Sequence, residues 1–210
     1  MFYDPRSEPH GLPHNPWNAL ISPRPIGWIS TVSTDGVANL APYSFFNAVS
    51  GSPPFVMFSS TPRKHSLANI EATGEFVVNV VSLDLCKQMN QSSAVYPPEV
   101  DEFERVGLAK APCRNVKPPR VAAAPAAIEC ILYQTIPLRP KSGLPSATTI
   151  VIGEVVGIHI DDAILTNGLV DTRRLKPVAR LGYMDYSVTE EIFEMLRPDF
   201  QFAGRPNADH

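Results

Sequence analysis

Proline constrains this chain more than any other residue type: 22 prolines lie scattered among 210 residues, between apolar runs. Each fixes its own φ, lacks a backbone donor and biases the residue before it away from helix. Long helices are therefore excluded over most of the chain, and the prolines read as punctuation at loops and strand ends of an all-β-leaning fold. Pro5, Pro9, Pro13, Pro16, Pro23 and Pro25 make residues 1–25 an extended arm, with room for one turn of helix at Trp17 to Ile21. His10 and His14 have the spacing of a metal pair, but Gly11 and Pro13 between them deny the helix that this spacing needs, so the arm reads as surface.

Between the prolines the apolar residues alternate. Ile26, Trp28, Ser30 and Val32 fall on one face, Gly27, Ile29, Thr31 and Ser33 on the other, and Asp35-Gly36 marks a hairpin turn. The return strand runs from Val37 into Asn47. Pro42 cannot donate to a ladder, which puts this strand at an edge or bulges it and frees neighbouring N–H groups. Phe55 to Phe58 forms a third strand, stopped at Ser59-Ser60-Thr61-Pro62, and a short helix from Lys64 to Thr73 closes at Gly74. A buried strand follows to Val81, then a helical stretch from Asp84 to Ser92. Residues 96–124 carry five prolines and the acidic group Glu99, Asp101, Glu102 and Glu104, and read as an excursion over the surface with a helical turn at Val100 to Val106. Two strands, Ala127 to Ile136 and Thr148 to Ile160, precede a basic cluster of Arg173, Arg174, Lys176 and Arg180. Ser187 with Glu190 has the form of a capping box for a final helix at about 188–197. Alternation without a βαβ rhythm or internal repeat predicts a single domain over 1–210, mainly β with short helices, as an antiparallel barrel.

A net charge of −3 gives no general attraction to nucleic acid or to an anionic membrane. No apolar run approaches the ~20 residues that span a bilayer, and the first residues lack the pattern of a signal peptide, so a cytoplasmic protein is expected. Cys86, Cys113 and Cys130 form no C-x-x-C pair; reduced thiols are expected, with no disulfide and no metal. Nothing matches G-x-G-x-x-G, a P-loop, H-E-x-x-H or G-x-S-x-G.

What remains is a strand-to-helix junction rich in hydroxyls. Ser59, Ser60, Lys64 and Ser66 surround it, where orphan helix N–H groups and one cation can hold a phosphate without a metal. Ser66 reads equally as a helix cap, and Lys64 as a solvated charge. The neighbouring aromatic segment with its proline offers backbone donors and apolar bulk to a flat heterocycle, although Trp28, Tyr43, Phe45 and Phe46 also suit a plain core.

Several separated motifs, in order, resemble the flavin reductase family of FMN-binding split β-barrel proteins: Arg24-Pro25-x-x-Trp28-x-x-Thr31, Asn39 to Asn47, Pro53-Pro54, Thr73 to Asn79, Gly153-Glu154-Val155 and Ala179-Arg180-Leu181-Gly182. The resemblance covers about Met1 to Pro198. It implies a homodimeric, antiparallel, Greek-key-like split barrel, with FMN near the subunit interface and NADH or NADPH as hydride donor. It also implies reduced flavin or electrons passed to an accepting protein such as a monooxygenase. By the same resemblance Ala41, Pro42, Tyr43, Ser44, Phe45 and Asn47 lie along the isoalloxazine ring, with Ser44 and adjacent amides as donors. Ser59, Ser60, Lys64 and Ser66 take the phosphate, and Arg24, Ser30 and Thr31 approach it or the ribityl chain. Arg180 is a candidate to stabilise the reduced ring's charge, or one member of a solvated basic cluster. No acid or base is named as catalytic, since hydride transfer to flavin leaves the chemistry to the cofactor.

Two positions depart from the family pattern. His65 stands where many relatives have an acidic residue, and Thr148 stands where some reductases carry a histidine. The second departure keeps another reading open, an FMN-binding electron-transfer or storage protein without its own pyridine nucleotide site.

Overall fold

The structure, a computed structural model, describes residues 1–196. The arm carries one helical turn, α1 (Trp17–Leu20), before a short strand, β1 (Arg24–Pro25). Four strands follow: β2 (Gly27–Val32), β3 (Ala38–Tyr43), β4 (Phe46–Gly51) and β5 (Pro54–Ser60). Then come α2 (His65–Thr73), β6 (Glu75–Val80), α3 (Cys86–Gln91), α4 (Glu102–Arg105), β7 (Lys110–Ala111) and β8 (Arg120–Val121). Two twelve-residue strands, β9 (Ala126–Pro137) and β10 (Thr149–Ile160), lead to β11 (Leu165–Thr166), β12 (Leu169–Val170), α5 (Thr172–Leu175), β13 (Val178–Arg180) and β14 (Tyr186–Val188).

Seven strands pair antiparallel in the order β3-β2-β6-β9-β10-β5-β4. The two outermost, β3 and β4, are consecutive in the chain and joined only by Ser44 and Phe45, so the sheet must curl until its ends meet at that corner. Pro42 sits on β3, a strand paired on one side, as its missing N–H requires. The expected single strand from Val37 to Asn47 is therefore two strands of one sheet, bent between its opposite edges.

Both faces of β2 are buried. Ile29 faces a cluster with Phe58, Phe76 and Val151, covered by Leu67 and Ile70 of α2. Trp28 faces a second cluster with Leu40, Met89 and Phe103, which brings in α3 and α4. Trp28, Phe58, Phe76 and Phe103 are fully buried, and each stabilises the fold by about 1.5–3 kcal/mol over an exposed position. The reading of residues 96–124 as a surface excursion thus needs correction. Phe103 and Glu102 drive inward from α4, while Asp101 caps it by accepting from Phe103 N (2.9 Å) and Glu104 N (3.4 Å).

The final helix expected at about 188–197 is absent among the described residues; its last position, Arg197, lies outside them. Ser187 is a strand residue paired with Ala179, which uses the backbone that a helix cap would need. Ile192, Phe193, Met195 and Leu196 are exposed, and a helix this short is marginal without an apolar face to bury. No helix among the described residues is long and apolar enough to cross a membrane.

Candidate functional site

The end of β5 carries the hydroxyl-rich turn into α2. Thr61 to Lys64 are exposed, and Lys64 occupies the N-cap position with extended backbone and no side-chain cap, leaving first-turn N–H groups of α2 unpartnered by it. Arg63 pairs with Glu71 on the same helix, whereas Lys64 enters no ion pair among the described residues. Ser60 is buried and donates to Pro62 O at 2.9 Å, which shapes the turn. Ser66 is also buried, and it lies inside the first turn of α2, so it is not the helix cap. Thr61 and Thr148 share a hydroxyl hydrogen bond of 2.7 Å, so position 148 flanks this turn.

A buried polar network lies under α2. Asn39 Oδ1 accepts from Ser66 Oγ (2.8 Å) and from Thr31 Oγ1 (3.4 Å), and Thr31 Oγ1 accepts from Asn69 Nδ2 (3.0 Å). Asn39 Nδ2 donates to Glu102 Oε1 (2.8 Å) and Leu40 N to Glu102 Oε2 (3.0 Å). Burial pushes the Glu102 carboxyl above its ordinary value. Burial also pushes the Tyr43 hydroxyl up; it lies beside Ser66 and Ser60 with no hydrogen bond of good geometry. Thr31 and Ser66 are thus scaffold beneath the turn. Ser30 does not join them. One residue along a strand reverses the face, and Ser30 Oγ instead donates to Pro119 O (2.6 Å) and accepts from Asn79 Nδ2 (3.1 Å).

The corner joining β3 to β4 adjoins the same turn. Ser59 N donates to Phe45 O at 2.9 Å, Ser44 is half-buried, and the Phe45 ring is 48% exposed. Ala41 and Pro42 are half-buried on β3; Asn47 is exposed, its side chain turned back to accept from Ala48 N (2.9 Å). The Arg24 guanidinium lies 5.8 Å from the Phe45 ring centroid. It is buried, ties the arm to the barrel through Asn18 O, Ile21 O (2.5 Å) and Leu181 O (2.8 Å), and keeps a buried Nε without a partner. Burial and the charge of Arg180, its partner across β1 and β13, hold its pKa below the ordinary value. Arg180 stacks on Tyr186 at 4.5 Å and donates to Tyr183 O.

Phe45 is thus the hinge of the arrangement, touching the hydroxyl turn through its carbonyl and Arg24 through its ring. Sequence reasoning missed the Glu102–Asn39 link, because Glu102 reads as one of several surface acids. Its only local signal is the Asp101 cap, which defines a helical turn with one inward face.

A family model described as "Flavin reductase like domain" matches residues 20–179. An uncharacterized protein of Aquifex aeolicus is 40% identical over 78% of this chain and 83% of its own length. Nitrilotriacetate monooxygenase component B from Bacillus cereus superposes with a TM-score of 0.85 at 30% identity, covering 93% of this chain and 98% of that one. The 2-nitrobenzoate 2-nitroreductase of Pseudomonas fluorescens does so at 0.77 and 27%, over 90% and 92%. With most of the barrel matched in sequence and its seven-strand frame matched in space, the chain belongs to the flavin reductase-like domain family.

Proposed function

We propose that this protein is an FMN-binding flavin reductase, which takes hydride from NADH or NADPH and passes electrons or reduced flavin to a second protein of the monooxygenase type. The observation that carries this reading is the meeting, at one barrel seam, of a hydroxyl-and-lysine turn with an aromatic corner backed by two arginines. The residues fit the cofactor: the Arg24 Nε and Tyr43 hydroxyl are buried beside this seam with no hydrogen bond of good geometry among the described residues, and the start of α2 offers N–H groups to a phosphate.

On this reading Lys64, Ser59 and the first-turn amides of α2 hold the phosphate, while Ser60, Ser66 and Thr31 keep the turn in shape. Ser44 and the amides beside Pro42 donate to the ring, Phe45 excludes water from it, and Arg180 offsets its negative charge after reduction. A bound flavin supplies the capacity to accept a hydride and its two electrons. Exposed Ile131, Tyr133 and Ile136 on β9 support a homodimer burying more than ~1,200 Å². Its setting on this reading is the cytoplasm, where reduced nicotinamide nucleotides are regenerated.

The test is anaerobic mixing of the FMN-loaded protein with NADH, and separately with NADPH, while flavin absorbance is followed. Bleaching by either nucleotide is expected. Thr148, bonded to Thr61, gives a second reading its footing: bleaching by dithionite but by neither nucleotide identifies an FMN-binding electron-transfer or storage protein.

A further inference from the structure

Far from that seam, three segments bring unlike donor atoms together. Glu129 of β9 pairs with Gly157 of β10, and His159 lies two residues further along, so the carboxylate and the imidazole share one face of the ladder. Cys113, just beyond β7, completes the group: its Sγ, a Glu129 oxygen and a His159 ring nitrogen all lie within 4.8 Å of one another. Glycine at 157 makes the space, since a Cβ there would stand 3.0 Å from Glu129 Cδ and 2.9 Å from Asn115 Nδ2. The Glu129 carboxylate is held from behind by Arg114 N (2.8 Å) and Asn115 N (2.6 Å), the kind of outer support that orients a metal ligand. In front is a cavity of about 530 Å³, lined by Glu129, Gly157 and His159 and walled by Arg114 and Arg120.

We propose that Cys113, Glu129 and His159 form a binding site for a zinc-type divalent cation. One thiolate, one imidazole and one carboxylate are the donor set of a borderline-soft ion with tetrahedral preference, and too poor in oxygen for calcium or magnesium. Bond lengths of about 2.0–2.3 Å require adjustments on the order of 1 Å in these side chains, and the ion replaces the hydrogen bond between His159 and Glu129. The thiol proton is released on binding, and thiolate plus carboxylate neutralise the ion, so Arg114 and Arg120 face a site of no net charge. The fourth position opens to the cavity and takes water. Burial, with the charge of Glu129, pushes the metal-free thiol up to about 11, which makes it a poor nucleophile and speaks against a redox-sensing role.

The site is independent of the proposed flavin chemistry. His159 lies ten residues along β10 from Thr149, whose partner is Ser60 of the hydroxyl turn, a separation of about 30 Å. The full-length protein, dialysed against EDTA, is titrated anaerobically with Co²⁺ and read by difference absorbance. One ion per chain is expected, with tetrahedral d–d bands and a thiolate-to-cobalt band that vanish when Zn²⁺ is added. Cys113→Ser should abolish the thiolate band, and His159→Gln should weaken binding by at least about tenfold while retaining that band at higher Co²⁺. An octahedral spectrum only, or a thiolate band that survives in Cys113→Ser, overturns the assignment. Each variant's flavin content is measured in parallel, so a misfolded variant would show itself by losing both ligands.

Discussion

Replacing Glu102 by alanine tests whether the buried network sets the geometry of the hydroxyl turn. Glu102 is 4% exposed, and each carboxylate oxygen accepts one buried donor, from Asn39 Nδ2 at 2.8 Å and from Leu40 N at 3.0 Å. Removal strands both donors at roughly 1–3 kcal/mol each, or about 2–6 kcal/mol together. Relief of the carboxylate's own burial cost offsets part of this, so a net loss of about 2–4 kcal/mol is expected. In a chain of this size each kcal/mol lowers the unfolding midpoint by about 2–4 °C, giving a drop of roughly 4–16 °C. The pH dependence has a definite sign. A carboxyl raised in the fold above its ordinary 4.5 stabilises most below that value, and this contribution is lost as pH rises through the raised pKa. The gap between parent and Glu102→Ala should therefore widen as pH falls from 7 toward 4.5. Thermal unfolding followed by circular dichroism over that range, with FMN affinity measured beside it, is the assay. A midpoint shift below about 2 °C, or a gap that narrows on acidification, refutes the reasoning.

Lys64→Ala should weaken FMN by roughly 10- to 150-fold, the equivalent of a charge-assisted contact of about 1.5–3 kcal/mol, while leaving riboflavin and thermal stability unchanged; equal losses for both flavins place the phosphate elsewhere. Ser44→Ala should shift the flavin potential or slow hydride transfer, by at most about 2.7–4 kcal/mol of lost stabilisation, with Pro42→Ala mainly loosening the backbone. Parent-like reduction of bound FMN in both variants would remove the ring from this corner. Gly153→Ala sets a Cβ 2.3 Å from Cζ of the fully buried Phe76, an overpacking cost of about 1–3 kcal/mol that an unchanged denaturation midpoint would disprove. Sedimentation should show a dimer at micromolar concentration; a monomer with FMN still bound contradicts the interface.

What the sequence made legible is what short-range chemistry decides. Asp35-Gly36 turns the hairpin, Gly74 ends α2 at a φ of 75° where a side chain would be strained, alternation marks β2, and β9 and β10 read as strands. The family motifs point to the hydroxyl turn and the aromatic corner, and the fold sets these side by side. Long-range pairing is what stayed hidden. Nothing local joins Asn39 to Glu102, 63 residues on, or Glu129 to His159, 30 residues on. The resemblance brings Ser30 and Thr31 to one site, yet the alternation already puts them on opposite faces, and their hydrogen bonds run to different partners. Ser187 and Glu190 spell a helix start, but Ser187 was already committed to the ladder with Ala179.

The corner at Ser44 and Phe45 has a consequence for the life of the protein as well as for its chemistry. There the first and last strands of the sheet come together, so a ligand gripping both the corner and the hydroxyl turn works as a clasp on the barrel. At a hundred times its dissociation constant such a clasp adds about 2.7 kcal/mol against unfolding. Unclasped, β3 and β4 are the two edges with unpaired backbone groups, the kind that recruit strands from other chains. On the proposed reading, release of the flavin and exposure of these strand edges coincide at one hinge, so the flavin-free chain is the form expected to associate through them.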